Sequence, residues 1–200
     1  MPTTAQTRIT AGEWRGRALV TPRGGRELRP TTSLVRQALF NILGEAIEGA
    51  AMLDLYAGAG TVGFEALSRG ARRATFVERD RTAVDCIAAT AAKLGCADRV
   101  SPQQAEVTAW LRANPRAAEQ ADVAFLDAPY KDEAGADLAL RLLGERPPAL
   151  VVCEHHRAHR LPERIGRLVR VRESTYGATR LTILRRDDAA HIQPAGEQPD

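Results

Sequence analysis

An apolar strand running straight into three closely spaced glycines constrains this 200-residue chain more than any other stretch: Leu53-Asp-Leu-Tyr-Ala-Gly-Ala-Gly-Thr-Val-Gly63. Gly58 and Gly60 let the chain turn sharply and let backbone approach a ligand, because no Cβ stands in the way. A helix beginning near Thr61 would point its free N–H groups at that turn, where they suit a carboxylate or a sugar hydroxyl. The next strand-like run, Ala74–Glu78, ends in an acid 20 residues after Gly58, about where a carboxylate on a second strand meets a ribose diol. By itself the glycine pattern fits a nicotinamide dinucleotide equally well, or a tight turn with no ligand. The acid weights it toward a nucleotide cofactor.

Asp127-Ala-Pro-Tyr130 follows a short buried-type run, Asp122-Val-Ala-Phe-Leu-Asp127, and so belongs at a carboxyl edge, where open α/β sheets bind ligands. It resembles the (Asp/Asn)-Pro-Pro-(Tyr/Phe) motif of enzymes that methylate exocyclic amino groups. An aromatic amine is a poor nucleophile because its lone pair is delocalised into the ring. A carboxylate and a neighbouring backbone carbonyl that accept its N–H groups localise the lone pair and favour the developing cation. Tyr130 would stack on the base. Ala128 stands where proline is usual, which removes a restraint on Asp127, while Pro129 still biases Ala128 toward extended backbone. The alternative is an ordinary strand exit, since Asp and Pro are common turn residues.

The remaining pattern is one α/β domain. A hydrophobic fraction of 44% supports a core. Apolar positions at Leu34, Val35, Ala38, Leu39, Ile42 and Leu43 have helical spacing within Ser33–Ile47. Strand-like runs recur at Met52–Tyr56, Ala74–Glu78, Arg99–Pro102, Val123–Asp127, Leu150–Glu154, Leu168–Arg172 and Arg180–Leu184. Helical segments at Val62–Ser68, Thr82–Leu94, Ala105–Ala113 and Ala134–Leu143 lie between the earlier ones. That alternation implies a mostly parallel, doubly wound sheet, with the last two runs as an antiparallel edge hairpin. Residues 1–30 are expected to form a basic hairpin arm, 31–186 the main domain, and the polar stretch 187–200 a disordered tail.

Cys86, Cys96 and Cys153 have no C-x-x-C spacing, which argues against disulfides or a zinc site and suits a reducing cytoplasm. Cys153 reads as core. His155, His156 and His159 follow a strand and read as solvated loop residues, so no metal is expected. No segment offers the roughly 20 apolar residues of a membrane span. Charge is uneven: the first 36 residues carry Arg8, Arg15, Arg17, Arg23, Arg26, Arg29 and Arg36 against only Glu13 and Glu27. Arginines on a Gly/Pro-punctuated arm suit phosphate contacts and point to RNA. A second group, Arg157, Arg160, Arg164, Arg167, Arg170 and Arg172, is balanced between an RNA surface and a merely solvated one. Trp14 is either a stacking platform for a base or an aromatic anchor for the hairpin.

Several segments together carry a family resemblance: Gly12-Glu-Trp-Arg-Gly-Arg17, Arg29-Pro-Thr-Thr32, Val35-Arg36, Ala38-Leu-Phe-Asn-Ile-Leu43, Asp54–Gly63, Glu65-Ala-Leu-Ser-Arg-Gly-Ala71 and Tyr176-Gly-Ala-Thr179. From about Arg8 to Leu184 the chain resembles the bacterial 16S rRNA guanine-N2 methyltransferases of the RsmD type. The resemblance implies a Rossmann-like class I methyltransferase with a mostly parallel seven-stranded sheet and an N-terminal β-hairpin. It implies transfer of a methyl from S-adenosyl-L-methionine (SAM), leaving S-adenosyl-L-homocysteine. The acceptor would be a guanine N2, at the position numbered 966 in that family, in 16S rRNA of the assembling or assembled 30S subunit. A cytoplasmic monomer without metal is expected.

Carried over, Asp54, Tyr56, Ala57, Gly58, Gly60, Glu78, Arg79, Gln104, Ala105 and Asp127 would line the cofactor. Asp127, Ala128, Pro129 and Tyr130 would hold the guanine. Arg15, Arg17, Arg29, Thr31, Thr32 and Arg36 would meet the RNA. Gln104 stands where the family often has Asp or Asn. The rival expectations are a DNA adenine-N6 methyltransferase and a ribosome-assembly factor that holds SAM and RNA without turnover.

Overall fold

The computed structural model describes residues 7–22, 33–129 and 131–189. Helix α1 (Ser33–Leu43) continues into a 3₁₀ turn (Gly44–Ile47). There follow β1 (Ala51–Leu55), α2 (Thr61–Ser68), β2 (Arg73–Glu78), α3 (Arg81–Leu94), β3 (Val100–Gln104), α4 (Val107–Ala113), α5 (Pro115–Glu119), β4 (Val123–Leu126), α6 (Glu133–Glu145) and β5 (Leu150–His156). The chain closes with β6 (Arg164–Ile165), β7 (Leu168–Tyr176) and β8 (Thr179–Arg186). One sheet runs in the order β3-β2-β1-β4-β5-β8-β7-β6. The first five strands are parallel, and β8, β7 and β6 are antiparallel. The expected seven strands are all present. The eighth, β6, is two residues long and too short to leave a periodic signal.

Because successive strand side chains point to opposite faces, the sheet sorts its apolar residues into two layers. Met52, Phe76, Val123, Phe125 and Val152 pack with α1, α2 and α3. Leu53, Leu55, Ala124, Leu126, Val151 and Cys153 pack with α4, α5 and α6. Cys153 is core, as its apolar context implied.

Residues 7–22 of the expected arm fold back onto the same core. Leu19 N–H donates to Thr7 O at 3.0 Å and Ile9 N–H to Arg17 O at 3.0 Å. Ile9, Trp14 and Leu19 join the α1–α3 layer. Trp14 is an anchor: its backbone N–H donates to Ser68 Oγ at 2.9 Å, its ring is buried, and Arg99 lies 5.0 Å over the ring. Gly12 makes this docking possible, since a Cβ there would lie 1.8 Å from Ser68 O. The stretch expected as a tail begins with ordered residues, because Asp187 and Asp188 pair with Arg164, Arg167 and Arg186 across β6 and β8. Residues 190–200 lie outside the described residues.

Candidate active site

The chain runs outward from β1 to β2 and β3, then crosses back to place β4 on the other flank of β1. Open α/β sheets bind ligands at such a reversal, beyond the carboxyl ends of the strands. Leu55 is level with Val77 on one side and with Leu126 on the other. The next residue along each strand therefore brings Tyr56, Glu78 and Asp127 to one level on three neighbouring strands. On the outer flank Glu78 is level with Gln104.

Tyr56 breaks the strand alternation. Its φ of 59° is the one positive value among the described non-glycine residues. Strict alternation would send its side chain to the face of Met52 and Asp54, but the ring packs instead on the α4–α6 layer. Burial pushes the Tyr56 hydroxyl up to about 12, with the nearby charges of Asp132 and Glu106 adding to the effect, and among the described residues the buried oxygen has no hydrogen-bond partner.

The glycine turn then takes left-handed backbone at Gly58 (φ 54°) and Gly60 (φ 77°). A Cβ at Gly58 would meet no atom of the described residues within 4 Å, so none of them fills the opening beside the turn. Asp80, Glu106 and Asp132 cap α3, α4 and α6 with side-chain oxygens. By contrast α2 begins at Gly60 with no side-chain cap, so its first N–H groups face the opening. Gly63 N–H is used internally, donating to Asp54 Oδ2 at 2.9 Å. Asp54 is 2% exposed, and its pKa is pushed up to about 8: burial dominates, the Gly63 bond opposes it, and the Glu78 charge adds. Glu78 braces the turn, its Oε2 accepting from Gly58 N–H at 2.9 Å and its Oε1 from Asp80 N–H at 2.9 Å. Arg79 and Gln104 are exposed on the same rim, Ala57 and Ala105 half-buried. These residues fit a nucleoside cofactor: an open cradle at a glycine turn, uncapped N–H groups, and an acid at the second strand's end.

Beside this cradle, Asp127 is half-buried, Ala128 buried at 6% and Pro129 exposed. Tyr130 lies outside the described residues. On the α6 side, Ala128 and Pro129 after β4, Glu154, His155 and His156 of β5, and Glu133, Ala136 and His159 line a cavity of about 20 Å³, room for about one water. The histidines depart from the expected solvated loop. His155 is 7% exposed at the end of β5, its Nε2 2.8 Å from Thr182 Oγ1. His159 sits 3.1 Å from Asp137 Oδ1 and 3.7 Å from Glu133 Oε2. Both acids come from α6, so the pairing is invisible in local sequence. Among the described residues no group of His, Cys, Asp and Glu is arranged to hold a metal, and no helix is long and apolar enough to cross a membrane.

The profile of the family described as "Conserved hypothetical protein 95" matches residues 7–185. Ribosomal RNA small subunit methyltransferase D of Haemophilus influenzae is 38% identical over 157 residues, 74% of this chain and 78% of that protein. The chain belongs to the RsmD-type rRNA methyltransferase family. The Escherichia coli K12 protein of the same name is 53% identical over 76 residues, 38% of each chain. A solved structure of a hypothetical protein from Thermus thermophilus has a TM-score of 0.74 at 29% identity, covering 89% of this chain and 98% of that one. An RNA methyltransferase from Salinibacter ruber, solved in complex with S-adenosyl-L-homocysteine, shares the fold at 19% identity with a TM-score of 0.56.

For an RNA methyltransferase of the RsmD type, the expected substrate-facing residues divide sharply. Arg15 and Arg17 are exposed on the hairpin. Arg29, Thr31 and Thr32 lie outside the described residues. Arg36, expected at the substrate mouth, is instead buried at 3% exposure. Its Nη2 donates to Arg8 O at 2.8 Å and its Nε lies 3.3 Å from Glu65 Oε2. Glu65, 1% exposed, also pairs with Arg69 and accepts from Thr10 and Ala11. A guanidinium so enclosed ties the hairpin and α1 to α2 and has no route to a ligand. Of the later basic group, Arg164, Arg167 and Arg170 pair with Asp187, Asp188, Glu163 and Glu173. Arg157 and Arg160 are exposed just beyond β5. A carboxylate that sequence did not single out, Glu154, lies buried near the end of β5, next to Asp127. Its one signal was an acid closing an otherwise apolar run.

Proposed function

We propose that this chain transfers the methyl group of SAM to the exocyclic N2 of a guanine in the 16S rRNA of the small ribosomal subunit. The observation that carries this reading is the register: the cradle at the β1 tip and the Asp127-Ala128 tip of β4 are adjacent parallel strands at the switch point. The family to which the chain belongs supports an rRNA acceptor, and the motif chemistry supports an amino nitrogen.

When bound, SAM supplies a methyl carbon activated by a sulfonium; the rest falls to this chain's residues. The uncapped start of α2 and the Gly58 turn would hold the amino-acid end, and Glu78, released from the turn, the ribose. Asp127 and the Ala128 carbonyl would accept the two N–H groups of the guanine amine. The nitrogen lone pair is thereby drawn out of conjugation and the positive charge that develops on nitrogen is stabilised. Pro129 keeps Ala128 extended so that its carbonyl stays available. Tyr130 would fix the base plane by stacking. The proton lost from the amine passes to Asp127 or to solvent.

Undermethylated small subunits incubated with methyl-labelled SAM test this, with naked 16S rRNA and duplex DNA as parallel substrates. Label is expected on a subunit guanine. Asp127→Ala should lower the rate by about 100-fold or more, the effect of removing a group that stabilises transition-state charge, while SAM binding changes less than about tenfold. Label on DNA alone would favour the adenine-N6 reading, and SAM binding without any label the assembly-factor reading.

A further inference from the structure

Strand register places a second carboxylate beside the one in the motif. Leu126 of β4 is level with Cys153 of β5 in a parallel pair, so the following residues, Asp127 and Glu154, are neighbours across the two strands, about 4.8 Å apart at their Cα atoms. They also share a face. Val123 and Phe125 precede Asp127 by four and two positions, and Leu150 and Val152 precede Glu154 likewise; all four pack in the α1–α3 layer. That is the face of Asp54, whose carboxylate meets α2. Between the two acids, Cys153 turns to the opposite layer. Its thiol is raised by burial first, with the charges of Asp127, Glu154 and Asp137 adding to the effect. Glu154 is 7% exposed, so its carboxylate sits largely out of bulk water. On the far face Ala128, His155 and His159 lie around a small cavity that Glu154 also lines, and His155 Nε2 is 2.8 Å from Thr182 Oγ1.

The edge of guanine that carries the amine presents donors side by side, N1–H next to N2–H₂. Adenine and 2-aminopurine present an unprotonated N1 there, which is an acceptor. Two adjacent carboxylates match the first edge and repel the second. We propose that Glu154 is a specificity residue that accepts the N1–H of the target guanine while Asp127 holds its amine. This inference rests on the guanine-N2 reading above and adds to it the group that tells guanine from other aminopurines. Glu154 would contribute little to SAM binding, because β4 separates it from the glycine turn.

The test replaces the target guanine in rRNA or a reconstituted small subunit with 2-aminopurine, which keeps the amine and lacks N1–H. The parent should methylate guanine at least about tenfold faster than 2-aminopurine, since a buried acceptor left facing an acceptor is strongly penalised. Glu154→Gln keeps the shape and can turn an amide N–H toward an unprotonated N1. It should slow guanine methylation, raise 2-aminopurine methylation, and narrow the ratio to about threefold or less, with SAM affinity within about twofold of the parent. Glu154→Ala should lose rate on guanine without gaining on 2-aminopurine, and retained SAM binding shows that each variant is folded. Parent-like rate and discrimination in Glu154→Gln would overturn the inference while leaving the guanine-N2 reading intact. A parent that labels no guanine would remove that reading, and this inference with it.

Discussion

Asp54 is held as a weak acid inside a site that has to accept a charged cofactor. Its carboxyl is 2% exposed, and burial lifts it to about 8 against an ordinary value of 3.8. At neutral pH it therefore keeps its proton in the folded chain and loses it in the unfolded one. A raised folded pKa gives stability that is fully present below the unfolded pKa and is lost as pH climbs toward the folded one. The window is about pH 4 to 8, and above 8 the loss is complete. Asp54→Asn cannot ionise and keeps an oxygen for the Gly63 N–H, so it should escape this loss. Melting temperatures of parent and variant without SAM should diverge in favour of the variant between about pH 5 and 8, then run parallel above about 8. Curves parallel across the whole range would mean that Asp54 is ionised in the folded chain.

Helix α2 is the element on which the site and the N-terminal hairpin both depend. Its uncapped start faces the cradle, and one turn further on Glu65 holds Arg36, Arg69, Thr10 and Ala11. The Glu65 and Arg36 side chains are 1% and 4% exposed, so removing one charge strands the other away from water. Glu65→Ala should lower unfolding stability in denaturant by about 3–5 kcal/mol, the usual effect of breaking a buried pair, with an unchanged denaturant slope. A change below about 1 kcal/mol would show that the guanidinium finds water once the acid is gone. The same element shows what was legible in sequence. The strand, the left-handed glycines and the acid after the second strand are contiguous signals of a single supersecondary unit, and each stands where the pattern put it. Arg36 was misplaced because its partner Glu65 lies on another helix, far along the chain, and ion pairs between elements have no period. The His159 pairing with α6 and the neighbourhood of Asp127 and Glu154 were hidden for the same reason: each exists only once the chain has folded, whereas the five residues of α5 are too few to show a helical period.

On the scale of the whole molecule, arginine count is a poor guide to where RNA would lie, because much of the positive charge is spent internally. The antiparallel edge is rich in arginine, yet Arg164, Arg167, Arg170 and Arg186 are matched by Asp187, Asp188, Glu163 and Glu173. Arg15 and Arg17 on the hairpin are exposed, and among the described residues neither has an ion-pair partner. Binding to a polyanion gains from released counterions only where a cation is not already neutralised by its own protein. The hairpin, docked on α2, would thus contact phosphate from a rigid mount, with Arg157 and Arg160 beyond β5 as exposed companions. Affinity for small-subunit RNA measured across salt concentrations separates the two surfaces. Arg15→Ala with Arg17→Ala should weaken binding and flatten the slope of log affinity against log salt by about 1.4–1.8, two phosphate contacts at about 0.7–0.9 each, leaving SAM affinity unchanged. Arg164→Ala with Arg167→Ala should leave the slope as it is, since those cations answer to Asp187 and Asp188. Should the edge pair flatten the slope and the hairpin pair leave it untouched, the RNA would have to cross the sheet at its antiparallel edge instead.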